Sequence, residues 1–161
     1  MITVDAAAHL LDLLRVRGLT IATAESCTGG LVSAALTAVP GCSDVVLGGI
    51  VTYSNGMKAS LLGVPEEVLR RVGAVSEDCA REMANGLLRA TGAGLGISVT
   101  GIAGPGGGSA EKPVGLVFIG VACLGREIIL RRNLFTGDRT AVRAATVDAS
   151  LALATEALLT G

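Results

Sequence analysis

The stretch Glu25-Ser26-Cys27-Thr28-Gly29-Gly30 carries the side chains best suited to chemistry in this sequence. The apolar run before it, residues 19–24, predicts a buried strand, and the Ala/Leu-rich run after it, residues 31–39, predicts a helix. Such a junction exposes free N–H groups and the positive end of a helix dipole, which suit an anion or a developing oxyanion. Ser26 is therefore a candidate nucleophile. The alternative is that Ser26 or Thr28 only caps the helix.

The residue counts restrict which base could activate that serine. The single histidine, His9, falls inside a predicted first helix, which argues against a Ser-His-Asp triad. The sequence has two lysines, Lys58 and Lys112, and a buried lysine can be neutral near pH 7 and accept a proton. Lys58 follows a second predicted strand, residues 45–53, which can lie beside the first. The alternative is that Lys58 is an exposed helix lysine.

Two further features could bind an anion. The glycine-rich loop 104–108 can bring backbone N–H groups close to a phosphate, but it lacks the Gly-Lys-Ser/Thr ending of a Walker A motif. Arg139 and Arg143 are four residues apart on a predicted helix, so they share a face that could bind a phosphate or an acidic partner. The alternatives are a flexible loop and a solvated helix face.

Composition excludes several classes of function. Half of the 161 residues are hydrophobic, only 2% are aromatic, and the net charge is −1. With no positive field and few rings for base stacking, we expect no nucleic-acid partner. Four scattered cysteines and one histidine give no zinc spacing, so we expect no metal.

The same sequence predicts a soluble protein in a reducing compartment. No signal peptide opens it and no uncharged apolar run reaches about 18 residues, so we expect no membrane partner and a cytoplasmic location. The cysteines are expected to be small core residues. Cys27 is the exception, because a helix N-terminus would lower the pKa of its thiol.

The order of predicted elements indicates the fold. Helices separate the early strands 19–24, 45–53 and 95–100, which predicts parallel crossovers, whereas the turn at residues 124–126 predicts a hairpin of strands 114–123 and 127–135. Thr3, Ser76 and Asp138 are expected to cap helices. We predict a single α/β domain, residues 1–161, with a mixed, mostly parallel sheet of about five strands and helices on both faces.

Several motifs, in this order, resemble those of the CinA C-terminal domain family. They are AESCTGG at 24–30, YSN at 53–55 followed by Lys58, GAVS at 73–76, TGIAGP at 100–105, KPVG at 112–115, and GDR at 137–139 followed by Arg143. The resemblance runs through nearly the whole chain. It implies hydrolysis of the carboxamide of nicotinamide mononucleotide to nicotinic acid mononucleotide and ammonia, in pyridine nucleotide recycling. Longer relatives carry a preceding molybdopterin-binding-like domain, so the sequence is expected to be the stand-alone amidase form.

The resemblance also implies roles for residues. Ser26 is the expected nucleophile, Lys58 the expected base, and Tyr53 the expected third catalytic residue, with no metal and no cofactor. N–H groups of residues 27–30, or of Gly101, are expected to stabilise the oxyanion. The substrate-binding residues are expected in the same motifs: Glu25, Thr28, Gly29, Gly30, Asn55, Thr100, Gly101, Gly104 and Arg139.

One alternative function belongs to a different class. The domain could be a non-catalytic nucleotide-binding or regulatory module, in keeping with the family's link to competence and DNA damage. The expected partners are the small-molecule nucleotide and a second copy of the chain, because the high aliphatic content and few charges favour a homodimer or higher homo-oligomer.

Overall fold

The computed structural model describes residues 4–161, and a five-stranded sheet forms its centre. The elements in chain order are α1 (Val4–Arg17), β1 (Ile21–Glu25), α2 (Leu31–Thr37), β2 (Val46–Val51), α3 (Asn55–Leu62), α4 (Glu66–Val72), α5 (Glu77–Thr91), β3 (Leu95–Gly101), β4 (Leu116–Cys123), β5 (Ile129–Leu134) and α6 (Arg139–Leu159). The predicted elements are confirmed, with boundaries shifted by at most two residues. Thr3, the expected cap of α1, lies outside the described residues.

The strand order β2-β1-β3-β4-β5 confirms the mixed sheet. β1 pairs in parallel with both β2 and β3, whereas β4 is antiparallel to β3 and β5. Only β4 therefore runs against the other four strands. β1 lies between its two parallel neighbours, so the carboxyl ends of β1, β2 and β3 meet at one edge of the sheet, where open α/β sheets bind ligands.

Helices cover both faces of the sheet, as predicted. Buried residues of α1, α2 and α6 form one core with the side chains of β1, β3 and β4 that point towards them. Buried residues of α3 and α5, with Val64 and Val68, form a second core against Ala22 and Ala24 of β1. Alternate residues of β1 point to opposite faces, which explains how one strand serves both cores.

α3 packs unusually close to α5 at Gly86. A Cβ atom on Gly86 would overlap the carbonyl oxygen of Leu62, the last residue of α3. Glycine in the middle of a helix costs about 1 kcal/mol relative to alanine, so a local reason for it is expected. The close approach supplies that reason, because only a residue without a Cβ atom lets α3 and α5 lie this close together.

Side-chain capping fixes where three helices begin. Ser54, Ser76 and Asp138 each accept a hydrogen bond from a backbone N–H group in the first turn of α3, α5 and α6. The predicted caps of α5 and α6 are therefore confirmed. α2 differs, because its N-terminal residue Gly30 adopts a left-handed conformation (φ 108°) and has no side chain to offer.

Candidate active site

Ser26 and Lys58 meet at the edge where the parallel strands end. Ser26 directly follows β1 and is 7% exposed, and Lys58 extends from α3 and is 1% exposed. The Nζ atom of Lys58 lies 3.0 Å from the Oγ atom of Ser26. The structure thus brings together the predicted nucleophile and the predicted base, and the alternative of an exposed helix lysine is wrong for Lys58.

Two carbonyl groups hold the Lys58 amine in place. Nζ donates to the carbonyl oxygen of Thr52 at 2.9 Å and to that of Tyr53 at 3.2 Å. A neutral amine has two N–H donors and one lone pair. In the protonated form, Nζ donates to Ser26 Oγ as well as to the two carbonyls. When the amine is neutral and its two donors stay on the carbonyls, its lone pair faces the Ser26 hydroxyl, which is the geometry a general base requires.

Burial favours the neutral form of this amine. It lowers the pKa of Lys58 below the ordinary value of 10.5, and the nearby thiols of Cys79 and Cys27 oppose the shift only in part. Burial also raises the pKa of both thiols to about 11, so they stay protonated near neutral pH. The predicted lowering of the Cys27 pKa is therefore wrong, because the thiol is only 6% exposed and loses solvation.

The N-terminus of α2 is occupied by the carboxylate of Glu25. This side chain is fully buried, although the sequence predicts a substrate-binding role for it. Its five hydrogen-bond donors are the hydroxyls of Thr23 (3.0 Å) and Thr28 (2.7 Å) and the N–H groups of Gly30 (3.2 Å), Val32 (2.9 Å) and Ser33 (2.9 Å). Neither the Ser26 nor the Thr28 side chain caps α2, so the alternative that they serve only as caps is wrong. The N–H groups of this helix end are taken by Glu25 and are not free for a substrate anion.

Two N–H groups of the serine loop stay available for an oxyanion. Gly29 donates its N–H to the carbonyl of Ser26. Among residues 4–161, the N–H groups of Cys27 and Thr28 have no acceptor on another residue. They lie next to Ser26 in the chain, as oxyanion donors do in acyl-transfer sites. Gly29 and Gly30, predicted as substrate-binding, instead use their N–H groups to hold the loop.

Arg143 and Gly29 each fix the orientation of one of those two N–H groups. Its guanidinium donates to the carbonyl of Cys27 at 3.1 Å and to that of Thr28 at 3.2 Å. In a trans peptide the N–H points away from the C=O of the same plane. The peptide carrying the Thr28 N–H is thus fixed by Arg143, and the one carrying the Cys27 N–H is fixed by Gly29. Sequence analysis predicts a phosphate-binding or acidic-partner role for Arg143 and misses this one.

Tyr53 lies at the exposed rim of the site. Its side chain is 57% exposed, and its hydroxyl accepts a hydrogen bond of 3.0 Å from Arg139. Arg139 also donates to the carbonyl of Gly104 at 2.8 Å, which joins the rim to the glycine-rich loop. Beside Arg139 a pocket of about 430 Å³ is lined by Ala103, Pro105, Val114 and residues 137–140.

The remaining predicted binding residues have other contacts. Thr100 is buried and donates its hydroxyl to the carbonyl of Ala74 at 2.8 Å. Gly101 packs so closely on β4 that a Cβ atom would lie 2.6 Å from the side chain of Val117. Asn55 is exposed and lines a separate hollow together with residues of α4.

One buried hydroxyl group beside Ser26 and Lys58, which we call the dyad, lacks a hydrogen-bond partner. Thr52 Oγ1 is the only buried side-chain nitrogen or oxygen without a hydrogen bond among the residues that the structure describes. Glu25 pairs with Val51 in the sheet, and the backbone carbonyl of Glu25 accepts a hydrogen bond from the N–H group of Thr52. Thr52 and Ser26, the next residues on the two strands, are therefore neighbours. Sequence analysis does not single out Thr52, and no motif chemistry marks it.

The described residues contain no metal-binding cluster and no membrane-spanning helix. Within residues 4–161, no group of three or more His, Cys, Asp or Glu side chains could hold a metal ion. In the same range, no helix has the length and hydrophobicity needed to cross a membrane.

Comparison with known proteins matches these features to one family. The model of the CinA C-terminal domain matches residues 4–158. The chain belongs to the CinA C-terminal domain family. A CinA-like protein of Thermotoga maritima is 51% identical over 134 residues, which are 83% of this chain and 32% of that protein. The chain spans about a third of the length of the curated relatives it matches.

Solved CinA structures share the whole fold. The competence/damage inducible protein CihA from Agrobacterium tumefaciens superposes with a TM-score of 0.93 at 44% identity, covering 96% of this chain and 94% of that one. A CinA superfamily protein from Klebsiella pneumoniae 700603 superposes with a TM-score of 0.94 at 37% identity, covering 98% of both chains. The family resemblance and the α/β architecture expected from the sequence are thereby confirmed.

Proposed function

We propose that this CinA domain is an amidohydrolase that converts nicotinamide mononucleotide and water into nicotinic acid mononucleotide and ammonia. The observation that carries the proposal is the 3.0 Å contact of Lys58 Nζ with Ser26 Oγ, in a buried position where the carbonyls of Thr52 and Tyr53 also hold Nζ. The substrate is inferred from the family resemblance, because the dyad specifies acyl transfer but not the acyl group.

The first half of the reaction acylates Ser26. The lone pair of Lys58 accepts the hydroxyl proton while Oγ forms a bond to the carboxamide carbon. The π electrons of the C=O group move to oxygen, and the oxyanion accepts hydrogen bonds from the N–H groups of Cys27 and Thr28. One such donor is typically worth about 3–4 kcal/mol of transition-state stabilisation.

Collapse of this intermediate releases ammonia. The oxygen electrons re-form the C=O bond, the C–N bond breaks, and the Lys58 ammonium gives its proton to the departing nitrogen. Lys58 is then neutral again and Ser26 carries the nicotinyl ester. The low pKa of the buried amine helps this step, since a poorly solvated ammonium is a readier acid.

The second half removes the acyl group with water. Lys58 accepts a proton from the water while its oxygen attacks the ester carbon, and the same two N–H groups stabilise the second oxyanion. The bond to Ser26 Oγ breaks and Oγ regains a proton from Lys58. Across both halves, one amide and one water give one acid and one ammonia, and the enzyme returns to its starting state.

We propose that the nucleotide extends from Ser26 towards Arg139. Arg139 lines the 430 Å³ pocket and contacts the hydroxyl of Tyr53 and the carbonyl of Gly104. A guanidinium is well suited to a phosphate group because it offers several donors in one plane. Tyr53, at the rim, supplies a ring surface against which the substrate can pack.

The test is ammonia release from nicotinamide mononucleotide by the purified protein in EDTA. We expect release by the wild type and by Ser60→Ala, which removes an exposed hydroxyl from α3, but none by Ser26→Ala. Release by folded Ser26→Ala would remove the serine from the mechanism. A folded wild type that binds the nucleotide without releasing ammonia would favour the non-catalytic module instead.

A further inference from the structure

Glu25 closes the loop that carries Ser26. The loop, residues 26–30, leaves β1 at Glu25 and enters α2 at Leu31. The Glu25 carboxylate reaches across it and accepts hydrogen bonds from three N–H groups at the start of α2. One side chain therefore holds both ends of the loop, so the strand tip and the helix start cannot separate without breaking these bonds.

The same carboxylate also fixes the middle of the loop. Thr28 donates its hydroxyl to Oε1 at 2.7 Å, the shortest of the five bonds. Its N–H group is one of the two that face no other acceptor in the described part of the chain. Because the hydroxyl and the N–H group belong to one residue, the bond to Glu25 restrains where that residue, and with it the N–H group, can lie.

Within residues 4–161, no cationic side chain is in direct contact with the Glu25 carboxylate. No ion pair among residues 4–161 includes this carboxylate. A buried charge without a cation has to be held by hydrogen bonds and helix dipoles. The N-terminus of α2 provides the N–H donors and the positive end of a helix dipole. The Glu25 carboxylate in turn caps the helix, which the N-cap residue Gly30 cannot do because it has no side chain.

We infer that Glu25 is a positioning residue for the acyl-transfer site and not a substrate-binding one. It sets the place of Ser26 Oγ and of the Cys27 and Thr28 N–H groups by bracing their loop. It also fills the helix end that a substrate phosphate would otherwise occupy, so the phosphate binds elsewhere. The inference rests on the proposed role of Ser26 as nucleophile, but not on the identity of the amide.

The test uses an alkyl fluorophosphonate, which forms a tetrahedral adduct on an activated serine and needs no nucleotide. The rate of Ser26 phosphonylation is followed by mass spectrometry of the intact protein. We expect Glu25→Gln to slow it by about 10²-fold, because misplacement of reacting groups by about 1 Å costs that much. Glu77→Gln, at the exposed first residue of α5, is expected to react like the wild type.

A second readout separates positioning from substrate binding. The dissociation constant of nicotinic acid mononucleotide is measured by calorimetry for the wild type and Glu25→Gln. We expect it to be the same for both, because the carboxylate is fully buried behind the loop. A folded Glu25→Gln that is phosphonylated as fast as the wild type, or that loses phosphonylation and nucleotide binding equally, would overturn the inference.

A pair of milder variants covers the case in which Glu25→Gln does not fold. Thr28→Val removes the hydroxyl that donates to Glu25, whereas Thr28→Ser keeps it. We expect Thr28→Ser to be phosphonylated faster than Thr28→Val, and equal rates would contradict the inference.

A wild type that does not react with the probe at all overturns this inference together with the nucleophile. A wild type that reacts but leaves nicotinamide mononucleotide intact overturns only the proposed substrate.

Discussion

The Nζ atom of Lys58 lies 3.0 Å from Ser26 Oγ, while its other two polar contacts are the carbonyls of Thr52 and Tyr53. This arrangement differs from a salt bridge, because no carboxylate accepts from the amine. Two carbonyl acceptors can hold both N–H groups of a neutral lysine, which leaves its lone pair for the Ser26 hydroxyl. The proposed chemistry therefore requires Lys58 to be uncharged when the serine reacts.

The first prediction concerns the charge and basicity of residue 58. Lys58→Met keeps the apolar stem but has no base, and Lys58→Arg keeps a permanent charge that cannot accept a proton near neutral pH. We expect both variants to lose measurable ammonia release from nicotinamide mononucleotide. Lys112→Met, the matched change at the other lysine, should retain activity. Turnover near the wild-type rate in Lys58→Met would remove the lysine from the mechanism.

The second prediction follows from the lowered pKa of Lys58. The unfolded chain keeps this lysine protonated up to its ordinary pKa of 10.5, whereas the folded chain loses the proton at lower pH. Between the two pKa values the unfolded state binds more protons, so the free energy of unfolding rises with pH. The slope from this group approaches about 1.4 kcal/mol per pH unit at most. Lys58→Met should lack this contribution.

The measurement is urea unfolding at several pH values above neutrality, for the wild type and Lys58→Met. Ammonia release should also rise with pH through the same pKa, because only the neutral amine can accept the Ser26 proton. Equal pH slopes in the two proteins would contradict a lowered pKa at residue 58.

The sequence predicts the dyad because both partners lie where strands end. Ser26 and Lys58 follow strands that parallel pairing brings side by side, and that relation can be inferred from the order of apolar runs. The structure adds the burial and the hydrogen bonds of Lys58, which the spacing of residues in the sequence does not predict. Whether a lysine is buried and which atoms accept its protons depends on contacts between α3 and the sheet, which no local pattern encodes.

Glu25 and Cys27 show where sequence-based interpretation fails. A helix N-terminus predicts an available anion site and a lowered thiol pKa, but that argument assumes that the helix end is unoccupied. The carboxylate one residue before Ser26 occupies it, and burial raises the pKa of the Cys27 thiol to about 11. The glutamate is visible in the sequence, but the direction of its side chain is a tertiary property.

The third prediction tests Arg143 as the support of the oxyanion donors. Its guanidinium holds the carbonyls of Cys27 and Thr28, so its loss should free the peptide plane that carries the Thr28 N–H group. The next plane would be held only by the Gly29 N–H bond to Ser26, whose carbonyl shares a plane with the Cys27 N–H group. We expect Arg143→Met to lower kcat for ammonia release by about 10²-fold, with a smaller change in KM. Steady-state kinetics measures both, and Arg131→Met, which changes an exposed arginine of β5, is the control. A change in KM with unaltered kcat would instead indicate substrate contact.

The fourth prediction concerns a glycine outside the site. A Cβ atom on Gly86 would overlap the carbonyl oxygen of Leu62, so Gly86→Ala has to push α3 away from α5. Overpacking of this kind typically costs about 1–3 kcal/mol of the free energy of unfolding. Because Lys58 extends from α3 and its reach to Ser26 is fixed at 3.0 Å, the same shift should lower kcat even where the protein stays folded.

Thermal unfolding followed by circular dichroism, together with ammonia release well below the transition, tests both effects of Gly86→Ala. Gly92→Ala is a contrasting variant, because no atom lies within 4 Å of the Cβ it would add, and its cost comes from the left-handed backbone (φ 73°) alone. We expect Gly92→Ala to lose stability but to keep kcat, since the added Cβ atom would contact no atom of α3. A Gly86→Ala protein with unchanged kcat would show that α3 can shift without moving the Lys58 amine.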